Sequence, residues 1–554
     1  MTARTLLLPM LLLTMTACTA SSSRPVADPA RASTVPLFET FGDVHRDIGT
    51  RVPAAQRYFD QGLRMAYGFN HDAAGRAFAE AARLDPSCAM CVWGQAVVLG
   101  PNINLLMDPA LAKDATALAR RAASLAGNAR PADRALILAQ LLRFSDPAPK
   151  DRAALDRAYA DALGRVATDF PDDDDVATLH AEALMDLSPW AYWTTDGKPT
   201  AFTPTILGEL ERVLARNPRH IGAMHYYIHA TEASSTPERA LPYADALAAL
   251  APGSGHLVHM PAHTYIRVGR YHDATLTNFA ATHADKAFLS FCRGSNGVYP
   301  IGYVPHNWHF ATMSTGLTGS RVLSLQSATE TARRVDVAAM GSPGMAFMQL
   351  FVVAPLFTQV RFGEWKAILA TNAPPAELPF PTAIWHFARG MAQLRTGALD
   401  AAAREADALH ALAVQPNLAK LEFSATTHGD SLLRVADALL RGELLRASGK
   451  RADGLASLRQ AVAAEDTLAY NEPADWPLPI RNYLGAALLE AGLDDDARQA
   501  FLQDLQRYPD NGWALFGLAE AERRLGHADA ARDARQRFAL AWQWADAPLA
   551  AARY

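Results

Sequence analysis

The sequence predicts an all-α chain folded as a helical-repeat superhelix, an α-solenoid. Three observations carry this. Half of the 554 residues are hydrophobic, and alanine and leucine, both strong helix formers, are prominent among them. A chain this long buries more than one compact core, so it forms several domains or one elongated array. Finally, small, aromatic and proline residues recur with a rhythm of 34 residues, the length of a two-helix repeat.

The first unit, residues 55–88, sets the pattern. Gly62, Ala74, Phe78, Ala81 and Pro86 occupy its positions 8, 20, 24, 27 and 32. Small residues at 8 and 20 let two antiparallel helices approach, a large residue at 24 fills the space between helices, and proline at 32 stops the second helix. A second unit opens at Ala89 and loses the pattern after Pro101. Residues 110–171 are helical by periodicity but irregular in register, and a further unit begins near Asp174. Units 221–254 and 255–288 follow one another without a gap, and another starts near Pro305. Weaker ones begin near Gln349, Ala383 and Val435. The last two, 478–511 and 512–545, are again well marked, by Gly485, Phe501 and Pro509 and by Ala519, Gly526 and Ala531.

These residues resemble the tetratricopeptide repeat family over most of positions 55–545. The resemblance implies a superhelix of roughly ten helix pairs, each burying its apolar face against its neighbours. The Gly-Pro-Asn-Ile-Asn at 100–104, the histidine block described below, and the Glu-Pro-Ala-Asp-Trp at 472–476 are similar to features of exported bacterial tetratricopeptide proteins of unassigned activity. The resemblance therefore implies architecture and leaves function open.

The N-terminus reads as an export signal. Arg4 precedes a short apolar run at 6–15, too short to span a bilayer permanently. Met15-Thr16-Ala17-Cys18 resembles a bacterial lipobox with Cys18 as the lipidated residue; a plain signal peptide cleaved near Ala17 or Ala20 is the alternative. Thr19, in place of an aspartate, points by analogy with proteobacterial sorting to an outer-membrane lipoprotein facing the periplasm. The expected layout is a signal peptide at 1–17, a flexible tether at 18–40, N-terminal repeats at 41–210, histidine-rich repeats at 211–345 and C-terminal repeats at 346–554. With 52 Lys and Arg against 57 Asp and Glu, the chain has no basic footprint for nucleic acid.

Function is sought in the histidines. His225 and His259 are 34 residues apart, as are His229 and His263. The family resemblance places repeat positions 2, 5, 9, 12 and 13 in the ligand groove. In unit 221–254 these include His225, His229 and Glu232; in unit 255–288, His256, His259 and His263; in the unit from Pro305, His306 and His309. His272 and His283 do not fit.

Two readings follow. In the first, an envelope-anchored scaffold takes a protein or peptide partner in a histidine-rich concave groove. In the second, His225, His229, Glu232, His259 and His263 bind a transition metal, whether zinc, copper or iron, as a carrier or a metalloenzyme. Neutral imidazoles four residues apart on a helix share an ion readily, and Glu232 serves as a ligand or as the acceptor that fixes a ring tautomer. Met260 and Met313 would favour copper, since thioether is a soft ligand. Pro261 argues against a continuous helix through this unit.

Other groups are weaker signals. Glu182 and Asp186 are four apart and could add acidic groups to the same surface or be solvated carboxylates. The run Asp172 to Asp175 suits a helix start. Cys88 and Cys91 form a lone Cys-x-x-Cys, expected as a local disulfide in an oxidising envelope.

Overall fold

A computed structural model describes residues 35–291, 297–341, 344–424 and 426–554. The signal segment, Cys18 and the tether up to residue 34 lie outside the described residues. The last part of the expected tether is docked: Tyr58 donates to the Val35 carbonyl at 2.9 Å, and Phe38 packs on Phe41 and Phe288 at 5.3 and 5.5 Å. Aromatic residues so close to a helical body fold onto it, which the small-residue composition of the preceding stretch concealed.

The architecture is an all-α, tetratricopeptide-type solenoid of helix pairs. Pro53–Tyr67 packs on His71–Leu84, and the series closes with Gly512–Arg524 on Ala528–Ala541. Proline at the first helical position starts Pro53–Tyr67 without wasting a backbone donor. Asp173 accepts from the Val176 N–H and so caps Asp174–Met185. The spacing of small and large residues has a direct structural meaning. The Phe78 ring lies between Gly62 and Gly94, where an added Cβ would sit 2.7 and 2.4 Å from the ring. The Phe501 ring lies between Gly485 and Gly517 in the same way, at 2.5 and 2.1 Å. At both ends of the chain one aromatic ring thus locks two successive units, and only glycine leaves room for it.

Apolar packing falls into two main bodies among the described residues. One runs from Phe41 to Leu317, with Tyr508 joining it; the other runs from Leu350 to Ala552. The superhelix brings the end of the chain back to its middle. Tyr271 donates to the Pro509 carbonyl at 2.7 Å and Trp513 Nε1 donates to the Gly316 carbonyl at 3.0 Å. This return path carries residues 468–479 across the histidine-bearing helices. No helix among the described residues is long and apolar enough to cross a membrane. Cys88 and Cys91 are joined by a disulfide.

Candidate metal centre

Three consecutive first helices build the site. Ile221–Glu232 begins at His220, whose Nδ1 accepts from the Ala223 N–H at 3.0 Å. Helical periodicity then turns His225, His229 and Glu232 to one side. The next unit is broken as Pro261 requires: Gly255–His259 carries His256 and His259, and Pro261–Arg267 carries His263. Val304–Leu317 contributes His306.

Most of the positions expected to line a ligand groove are buried. His225, His229, Glu232, His256, His259 and His263 are all at most 2% exposed, and His306 is half-buried. Aromatic rings pack against the imidazoles: Phe69 lies 4.5 Å from the His225 ring, Trp190 5.2 Å from His229, Tyr303 4.8 Å from His256 and Phe310 4.5 Å from His263. Phe69 and Trp190 hold φ of 54° and 65°, a left-handed backbone that costs a bulky residue of order 1–3 kcal/mol. Strained residues of this kind cluster at functional sites, and both of these press their rings on site imidazoles.

His309 does not join the cluster. Its ring packs on Phe351 at 5.2 Å and it lines a separate small cavity with Phe357 and Asp475. His309 lies about 60° round the helix from His306, and its ring packs towards the helix Met348–Arg361. Met313 lines that same cavity.

Hydrogen bonding fixes which ring nitrogen carries the proton. His225 Nδ1 is 2.6 Å from the Tyr67 carbonyl, so Nδ1–H donates. His229 Nδ1–H and His263 Nδ1–H donate to the two oxygens of Glu232, at 2.7 and 2.6 Å. Asn278 donates through Nδ2 to the Ala274 carbonyl, so its Oδ1 is an acceptor, and His259 Nδ1–H donates to it at 2.7 Å. A neutral imidazole has one proton. In all four rings Nε2 is therefore a bare lone pair.

Those lone pairs converge. His259 Nε2 and His263 Nε2 stand 2.8 Å apart, and with both rings neutral no proton is left for a hydrogen bond between them. His225 Nε2 is 3.1 Å from His256 Nε2, and His229 Nε2 is buried without a partner, as is His256 Nδ1. At five of the rings burial works against an imidazolium. Burial pushes His225, His256, His259 and His306 well below their ordinary value, and burial lowers His229 too. Burial also opposes the charge of Glu232, yet His263 and His229 hold its carboxyl down to about 2. A carboxylate fixing the far nitrogen of two histidines is the supporting arrangement of metal sites.

Ligand atoms form three sets in which all lie within 4.8 Å of one another: His225, His229 and His256; His259, His263 and His306; and His229, Glu232 and His263. Neutral imidazole suits zinc, copper, iron and nickel.

Several contributors are invisible to sequence spacing. Tyr470 reaches over from the segment between Arg451–Asp466 and Ile480–Glu490 and donates to Glu232 Oε2 at 3.1 Å. It also meets Glu472, whose carboxyl is pushed up to about 8 by burial and by the Glu232 charge. A cavity of about 30 Å³ lined by Arg267, Tyr470 and Glu472 lies alongside, room for a water or two. The Gly-Pro-Asn-Ile-Asn stretch is the one local signal: Asn104 donates to the Tyr303 hydroxyl at 3.3 Å and so steadies the ring on His256. Glu182, buried, and Asp186, half-buried, sit apart from the ligand sets beside Arg143, whose Nη2 is 3.2 Å from Asp186.

No family model matches the chain, and no curated protein matches it. Among solved structures it is similar to the APC/C hetero-tetramer Cut9–Hcn1, at 13% identity and a TM-score of 0.30, covering 88% of this chain and 73% of that one. It is similar to the human IFIT1 dimer with PPP-AAAA, at 11% identity and a TM-score of 0.31, covering 86% of this chain and 88% of that one. For the P58(IPK) TPR domain the values are 11% and 0.20, with 86% and 99% covered. Likenesses of this size carry no argument beyond the helical-repeat fold that the helix pairs show by themselves.

Proposed function

We propose that the chain is a transition-metal-binding helical-repeat protein whose ligands are the Nε2 atoms of the histidine cluster, with His225, His229, His259 and His263 at its centre. The observation that carries this is the His259–His263 contact. With both rings neutral, two lone pairs 2.8 Å apart in a buried site repel unless something electropositive lies between or beside them, and both Nδ1 protons are already committed elsewhere. Glu232, Asn278 and the Tyr67 carbonyl then act as the outer hydrogen-bond acceptors that orient metal-binding rings. A peptide partner reading these same histidines would first have to displace Phe69, Trp190 and Tyr470.

Zinc, copper and iron are the candidate ions, since an all-imidazole set suits each. The protein is read as anchored in the cell envelope through Cys18, and the Cys88–Cys91 disulfide supports an oxidising compartment. Elemental analysis of the untagged soluble part, as purified and after reconstitution with each ion, tests the metal reading. Stoichiometric metal is expected, with its loss in a His225→Ala, His259→Ala double variant. Absence of metal after all three reconstitutions overturns it. Cys18→Ala should release the full-length protein to the soluble fraction; retention in the membrane overturns the anchor.

A further inference from the structure

We infer that the cluster holds two metal ions, in two equivalent three-histidine sites generated by the repeat itself. This rests on the metal-binding reading above. The first set is His225, His229 and His256, and the second is His259, His263 and His306. In each, two ligands come from positions 5 and 9 of one unit and the third from position 2 of the next. Neighbouring repeats stack by a near-constant rotation and rise, so a site built at one junction is reproduced at the following junction when the same positions carry histidine. The chain has that histidine pattern at two successive junctions.

The supporting contacts repeat as well. One imidazole of each set donates Nδ1–H to a neutral oxygen, the Tyr67 carbonyl for His225 and Asn278 Oδ1 for His259. The second donates to one oxygen of Glu232, Oε1 for His229 and Oε2 for His263. The third is placed by ring packing, His256 against Tyr303 at 4.8 Å and His306 against Phe310 at 5.4 Å. Glu232 is thus shared, with one carboxylate oxygen for each site.

One ion cannot use all six rings. The closest nitrogen pairs, at 3.1 and 2.8 Å, fall within the separate sets and match the ~3.3 Å between ligands of a tetrahedral ion with bonds near 2 Å. Between the sets the rings of His256 and His259 lie stacked, 5.7 Å apart, facing each other rather than converging, and the closer pair, His229 and His263 at 5.0 Å, each turn Nδ1 to the shared Glu232. Three histidines per ion leave a fourth position for water or another small ligand, as in catalytic zinc sites.

The test is the stoichiometry of Zn²⁺ bound by metal-free full-length protein, read by titration and by elemental analysis after desalting, with far-ultraviolet circular dichroism to confirm folding. Two ions per chain are expected, falling to one in His256→Ala and to one in His306→Ala. A single ion in the unmodified chain overturns the pair while leaving the metal-binding reading intact; no ion overturns both. Loss of both ions from either folded single variant also overturns the pair, because it would mean one indivisible cluster. Co²⁺ provides a second measurement: its visible absorption should grow through two equivalents in the unmodified chain and saturate at one in each variant, and saturation at one equivalent throughout contradicts the inference.

Discussion

Replacing Glu232 by glutamine separates a metal-supporting role from a merely structural one. The glutamate accepts Nδ1–H from both His229 and His263. Glutamine keeps one oxygen and puts an N–H₂ where the other oxygen was. One imidazole must then accept through Nδ1 and move its proton to Nε2, the atom that faces the metal. A ligand in the wrong tautomer should raise the metal Kd about 10- to 100-fold, or about 1.4–2.7 kcal/mol. The metal-free protein should suffer less. If the ring that switches is His263, its new Nε2–H points at the lone pair of His259, 2.8 Å away, and that hydrogen bond contributes about 1 kcal/mol. This offsets part of the roughly 1.5–3 kcal/mol lost with one charge-assisted bond. Competition against a chromophoric zinc chelator at pH 7, alongside urea unfolding of the metal-free form, reads both quantities. An unchanged Kd in a folded variant would refute the tautomer argument.

Further outcomes follow from the same contacts. Tyr470→Phe removes one of the three donors to Glu232 and should weaken metal binding about fivefold, less than Glu232→Gln; an effect as large as that of Glu232→Gln would make Tyr470 a principal support. Gly517→Ala places a Cβ 2.1 Å from the Phe501 ring and should destabilise the C-terminal repeats by about 1–3 kcal/mol, seen as an earlier urea midpoint; no shift would mean that the Phe501 lock is loose. Burial pushes Glu465 from 4.5 up to about 7. Its stabilising, protonated state is present below pH 4.5 and is lost as pH rises through 7. Glu465→Gln should therefore unfold at higher urea than the unmodified chain at pH 8, by at most about 3 kcal/mol, with the gap closing by pH 4.5; a gap that widens on acidification contradicts the sign.

Local chemistry was legible in the sequence to the extent that it is local. Phe78 and Phe501, each flanked by small residues at fixed spacing, announced the repeat. His225, His229, His259 and His263 were found because four-residue spacing and a 34-residue period both follow from helix and repeat geometry. Glu232 belongs to the same helix face. What spacing could not convey is closure. The groove rule assumes an open surface, whereas Phe69, Trp190 and Tyr470 pack onto the side chains of the site and these histidines are buried. Tyr67 and Tyr470 act on His225 and Glu232 from 158 and 238 residues away, contacts that depend on the rise and curvature of the whole superhelix. His306 and His309 shared one pattern, yet their rings pack on different partners, His259 and Phe310 for the first and Phe351 for the second. Phe69 and Trp190 are aromatic rings in strained backbone, and φ is not read from sequence.

X-ray absorption at the edge of the bound metal reads the proposed all-imidazole ligand set from the ion outward. For zinc, a first shell of nitrogen near 2.0–2.1 Å is expected, with the outer-shell scattering of imidazole rings and no sulfur. A shell containing sulfur, or a reconstituted protein with no bound metal to measure, would contradict it.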